Sequence, residues 1–197
     1  MKHCMLDIET LGQEPGCVIL SMGAVKFNPE SMRFSGEVEE ETAFYHNISI
    51  DSCDDLGMHV CPETVEWWAK QDQTAKDALK DYQEPIRDVL IDFQAWYRGC
   101  EHIWSHGMNF DIPIMRKAFQ LCDLKCPWHY RDERDTRTLF AVAPGYRNIM
   151  HRIFEPLKGP KHHAMWDAVT QAYWVIRAYD CIRGTYREQE TIRQANL

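Results

Sequence analysis

Met5-Leu6-Asp7-Ile8-Glu9-Thr10, close to the start of the chain, decides how the rest is read. Successive side chains of a strand point to opposite faces, so Asp7 and Glu9 project together. Leu6 and Ile8, with Cys4 before them, turn to the other face, where burial suits them. Two carboxylates aimed at one spot near a strand end push a pKa upward unless a cation compensates. A solvent-facing edge of a half-buried strand is the plainer alternative, and it needs no cation.

Two more carboxylates and a histidine come next in order. Asp111 stands after Trp104-Ser105-His106-Gly107-Met108-Asn109-Phe110, a short apolar strand that runs through a glycine turn into a helix start. Taken alone, an aspartate there reads as a helix cap. Asp167 near the start of an apolar helix is cap-like in the same way. His162 lies five positions before it, in a basic loop with Arg147, Arg152, Lys158 and Lys161. Together these groups make sense around divalent cations, and oxygen ligands favour Mg²⁺ or Mn²⁺ over zinc or copper.

The bulk numbers narrow the function classes. A length of 197 residues, 45% hydrophobic and 12% aromatic, suits one packed domain over 1–183 with a polar tail at 184–197. A net charge of -8 argues against a protein that coats long duplexes, because phosphate neutralisation needs a basic face. An enzyme handling only a strand end can still be acidic, with bound metal supplying local positive charge. No apolar run approaches the ~20 residues that cross a bilayer, and the chain enters a strand at once, so neither membrane span nor signal peptide is expected. Eight scattered cysteines then read as reduced thiols of a cytoplasmic protein. Cys122, Cys126 and His129 offer only three zinc ligands, too few for a closed structural site.

Periodicity predicts strands over 3–9, 18–27, 42–48 and 102–105. Helices are expected from Pro62, over 85–98, at Pro113, over 136–142 and over 164–181. Three early antiparallel strands followed by mixed strands and helices imply an α/β fold with helices packed on a central mixed sheet. Trp67 and Trp68 are adjacent on a helix and cannot both face one way. One packs in the core, while the other is free to stack on a base. Asp135 is expected to order its own loop, and His106 to serve a structural role.

With these motifs in place, the chain resembles the DEDDh branch of the DnaQ-like 3′→5′ exonucleases. Asp7, Glu9, Asp111, Asp167 and the His162-x-Ala164-x-x-Asp167 pattern match the family motifs in order, over about residues 3–180. The match is closest to the bacteriophage exonuclease A type and its exoribonuclease relatives. Val65-Glu66-Trp67-Trp68, Gly107-Met108-Asn109-Phe110-Asp111 and the stretch from Arg131 to Thr138 support it, although the phage type often has serine where Asn109 stands.

The resemblance implies an RNase H-like fold with a five-stranded mixed sheet. It also implies two Mg²⁺ or Mn²⁺ ions, Asp7 bridging them, Glu9 and Asp167 completing one site and Asp111 holding the other. His162 would be the general base, and Thr10, Leu11, Asn109 and Trp68 would meet the 3′-terminal nucleotide. The expected activity is release of nucleoside 5′-monophosphates from the 3′ end of single-stranded DNA. An exoribonuclease of the same mechanism and a catalytically inactive nucleic-acid-binding module are the alternatives. Related folds include dimers, so a homodimer is compatible with the resemblance.

Overall fold

The computed structural model describes residues 1–30, 40–143 and 161–184. The expectations for Arg147, Arg152 and Lys158, and for the tail beyond Gly184, lie outside the described residues. In chain order the elements are β1 (His3–Thr10), β2 (Ile19–Phe27), β3 (Ala43–Ile48), α1 (Ile50–Asp54), α2 (Pro62–Ala69) and α3 (Gln73–Ala78). They continue with β4 (Gln83–Glu84), α4 (Ile86–Tyr97), β5 (His102–Ser105), α5 (Asp111–Leu121), β6 (Glu133–Asp135), α6 (Thr136–Val142) and the long α7 (Ala164–Arg183).

One mixed sheet runs in the order β4-β3-β2-β1-β5-β6. β1 is antiparallel to β2 and parallel to β5, and β2 is antiparallel to β3, so β1 is flanked on both sides. Six strands stand where five were expected. The short strands β4 and β6 escape a sequence reading because two or three polar residues carry no period. Each is held instead by parallel pairing, Gln83 against Asn47 and Glu133 against Ile103. α1 and α3 are likewise single turns with too little pattern to announce them.

Strand alternation sorts the core into two layers. Cys4, Leu6 and Ile8 of β1 face Val89, Leu90 and Phe93 of α4 and Ile112, Met115 and Phe119 of α5. Met5 points the other way, into a second cluster with Val25, Phe27 and Trp104 and with Ala168, Ala172, Val175 and Ile176 of α7. Fully burying a large aliphatic or aromatic side chain stabilises by about 1.5–3 kcal/mol. The two clusters therefore clamp the sheet between helices.

The register across three strands positions the acidic pair against its neighbours. Asp7 is opposite Gly23, which is opposite Tyr45; Glu9 is opposite Ser21, which is opposite Asn47. All six lie on the face covered by α7. A glycine in a strand interior weakens the strand and marks a close backbone approach. Here the approaching backbone is the start of α7: a Cβ on Gly23 would fall on the Met165 nitrogen and the Ala164 carbonyl group. Replacing Gly23 by Ala is expected to cost about 1–3 kcal/mol through overpacking. Urea unfolding checks it, and an unchanged midpoint would contradict the contact.

Candidate active site

β1 delivers Asp7 and Glu9 to the α7 face at its C-terminal end. The ladder between β1 and β5 stops at Met5 and Trp104. Beyond it, the Ile8 backbone N–H donates to Asp111 Oδ1 at 3.2 Å, which ties the first residue of α5 to β1. From above, α7 brings Asp167 in its first turn. One turn further along the same helix face, Gln171 Nε2 donates to Asp7 Oδ1 at 2.7 Å. Ligand atoms of Glu9, His162 and Asp167 all lie within 4.8 Å of one another, the one such group among the described residues.

This crowding leaves its mark on proton affinity. Burial, followed by the charges of Asp111, Glu9 and Asp167, holds the Asp7 carboxyl well above the usual carboxylate range, against the pull of the Gln171 amide. Burial and the charges of Asp167 and Asp111 push Glu9 up to about 8. Asp111 is raised to about 7 by burial, opposed by the Ile8 N–H and by the charge of Arg137. Burial raises Asp167 as well, and His162 offsets part of it. Such a set cannot be fully ionised at neutral pH unless a cation joins it. Four oxygen donors with one imidazole beside them fit a hard divalent ion.

His162 has a left-handed backbone, φ 59°, unusual for a residue with a side chain. Its ring meets the Trp67 ring edge-on at 4.9 Å, and the next residue, His163, stacks on Tyr45 at 4.3 Å and 24°. The loop residue and the helix start are thus pinned on two sides. Aromatic pairs of this kind contribute about 0.5–1.5 kcal/mol beyond buried area.

A cavity of about 310 Å³ opens beside Glu9, lined by Ile8, Thr10, Gln13, Thr64, Trp67 and Phe110 among others. Trp68 also borders it, but is only 6% exposed and commits its indole N–H to the Thr10 carbonyl at 2.9 Å. Trp67, 41% exposed, is the more accessible of the two indoles, so the pair divides surface and core between them while both line the cavity. The Thr10 hydroxyl donates to the Gly12 carbonyl at 2.6 Å and shapes the turn. Leu11 is held by backbone bonds to Val18 and Cys61. Asn109 is exposed in the turn before α5 and does not line the cavity; Phe110, next to it, does.

Sequence reasoning missed Phe110 and Gln171. Gln171 had a signal, four residues beyond Asp167 on one helix face. Phe110 had none, because a turn has no period. Asp135 caps α6, accepting from the backbone N–H of Arg137 and Thr138, and His106 bonds Thr136 Oγ1 at 2.8 Å, both structural as expected. Lys161 borders a second cavity, about 420 Å³, with Gln71, Asp72, Thr74 and His162.

No curated protein is a significant match to this chain. Among solved structures the fold is similar to Pop2p of S. pombe in its Mg²⁺- and Mn²⁺-bound form. That pair shares 16% identity over 90% of this chain and 82% of the other, with a TM-score of 0.58. It is similar to exonuclease X in complex with 5′-overhanging duplex DNA, at 17% identity over 90% and 91% of the two chains and a TM-score of 0.54. It is also similar to the nuclease domain of 3′hExo, a DEDDh family member bound to rAMP, at 15% identity over 89% and 90% and a TM-score of 0.53. These likenesses establish the RNase H-like exonuclease fold. The sequence itself goes further: residues 2–178 match the description "3′-5′ exoribonuclease Rv2179c-like domain", and the chain belongs to that family of 3′→5′ exonucleases.

Proposed function

We propose that this 3′→5′ exonuclease removes nucleotides one at a time from the 3′ end of single-stranded RNA, using two divalent metal ions. One observation carries the reading: the donor atoms of Glu9, His162 and Asp167 converge within 4.8 Å. Asp7 and Asp111 stand beside them. The motifs lead to an expectation of DNA, but the chain's membership of an exoribonuclease family favours RNA. Kinship with the phage exonuclease A type rests on the strings around Trp67 and Arg134. The catalytic unit would be residues 1–183, and eight free cysteines suit a cytoplasmic enzyme. Among the described residues, no helix is long and apolar enough to cross a membrane.

Asp7, Glu9 and Asp167 would hold one ion, and Asp7 with Asp111 the other. When bound, Mg²⁺ or Mn²⁺ supplies charge stabilisation to the attacking and leaving oxygens. The remaining steps belong to the protein. The Gln171 amide fixes the rotamer of Asp7, so this carboxylate meets its partners without searching. His162 accepts a proton from the attacking water, and its neighbouring ring contacts limit its motion. The cavity takes the terminal nucleoside, with Trp67 offering a face for base stacking worth about 1–3 kcal/mol. Attack at phosphorus expels the 3′ oxygen of the preceding nucleotide and yields a nucleoside 5′-monophosphate.

Asp7→Ala is expected to abolish turnover, and His162→Ala to lower kcat by roughly 10²–10⁴-fold with folding intact. Stopped-flow turnover with circular dichroism as the fold control tests both; a drop below threefold in His162→Ala removes it as the base. On matched labelled oligomers with Mg²⁺ or Mn²⁺, RNA should be cut faster than DNA, and a blocked 3′ hydroxyl should stop the reaction. Faster cutting of DNA would reverse the substrate order.

The raised carboxylates also set a pH dependence. They bind protons more tightly in the folded chain, so the metal-free protein loses stability as pH rises through about 7 and 8, the values of Asp111 and Glu9. Below about 6.5 the half-buried His3, lowered to about 4, acts in the opposite direction. Melting in chelator should therefore show a lower midpoint at pH 8 than at pH 6.5. Mn²⁺ should raise the midpoint more at pH 8, and an equal rise at both would count against a metal site built from these groups.

A further inference from the structure

A nucleic-acid strand is a polyanion, and this chain carries a net charge of -8, so each cation near the carboxylates matters. Arg116 is paired with Glu133, and Arg134 donates to the carbonyls of Arg131 and Glu133. Arg137, in the first turn of α6, is exposed and has no carboxylate within ion-pair distance among the described residues. Its side chain does not wave freely. It lies on Gly107, where a Cβ would come within 3.2 Å of the guanidinium carbon and 3.4 Å of one terminal nitrogen. Gly107 itself has φ 110°, a conformation nearly closed to other residues.

The turn under this guanidinium is the one that leads from β5 to Asp111. The charge of Arg137 is felt there, lowering the proton affinity of both Asp111 and His106. The topology then gives a direction. The 310 Å³ cavity is built on the end of β1 and on α2, whereas Arg137 comes after β6, two strands away across β5. That separation is about 10 Å at ordinary strand spacing. The carboxylates lie between, at the C-terminal ends of the parallel strands, where α/β sheets bind ligands.

We propose that Arg137 holds a phosphodiester of the substrate strand on the 5′ side of the bond that is cut. This assignment rests on the exonuclease reading above and gives the strand a path. The terminal nucleoside occupies the cavity, the scissile phosphate lies over the carboxylates, and the next phosphate meets the guanidinium. A planar fork of N–H donors pairs with two phosphate oxygens at once, which a lysine cannot reproduce. That Arg137 has no carboxylate partner among the described residues then fits a site awaiting its anion.

The test compares wild type, Arg137→Ala and Arg137→Lys on two substrates. One is a single-stranded octanucleotide; the other is the p-nitrophenyl ester of a nucleoside 5′-monophosphate, which has a scissile phosphate and nothing beyond it. Arg137→Ala should raise KM for the octanucleotide about tenfold, the loss of one charge-assisted pair, with Arg137→Lys between. Its penalty should be at least several-fold larger on the octanucleotide than on the ester, and the slope of log(kcat/KM) against log[salt] should fall by about 1. Equal penalties on both substrates, or none on the octanucleotide, overturn the assignment. Wild-type inertness towards both substrates would instead sink the exonuclease reading, and this inference with it.

Discussion

Buried carboxylates that face one another need a reason to stay together, and here the sheet and α7 supply it by force. Asp7 and Glu9 cannot leave the face of β1 that α7 covers, because Cys4, Leu6 and Ile8 are locked into the opposite core. Asp167 cannot retreat, because Ala168, Ala172 and Val175 anchor its helix on Met5, Val25 and Trp104. Hydrophobic burial on both sides of the sheet thus holds a charge cluster that would disperse in water. The folded chain is left with carboxyls that hold protons more tightly than in water, the state a bound cation would relieve.

Gly23 is the hinge of that arrangement in a literal steric sense. It sits opposite Asp7 in the register, and the peptide joining Ala164 to Met165 occupies the room a side chain would need. Because α7 starts there, Asp167 lands in the first turn and Gln171 in the second, each within reach of β1. The stack of His163 on Tyr45 extends the same clamp to the third strand. A single missing methyl group therefore sets the distance between the two halves of the site.

Polarity in the active site is graded along the sheet. The cavity on the β1 side is walled largely by Ile8, Trp67, Trp68 and Phe110, suited to an aromatic base. The middle is acidic, and the β6 side ends in the cation of Arg137. An apolar pocket, an acidic centre and a cationic edge succeed one another along a line. On the proposed reading, that sequence of environments would take a nucleotide, a reacting phosphate and a trailing backbone in order, and would let an acidic protein grip a strand end.

Much of this was legible in the chain as text. Alternation in Met5–Thr10 gave the acidic face of β1, the apolar spacing of α4 gave Val89, Leu90 and Phe93, and the motif order of Asp7, Glu9, Asp111, His162 and Asp167 pointed to one centre. These are properties of local period and residue type, which neighbours along the chain dictate. The division of labour between Trp67 and Trp68, the short strands β4 and β6, the approach of Phe110, the Gln171–Asp7 bond and the placing of Arg137 on Gly107 were decided only by tertiary structure. Each depends on which surfaces meet, and that is determined by packing between segments up to 164 residues apart, where no local pattern carries the information.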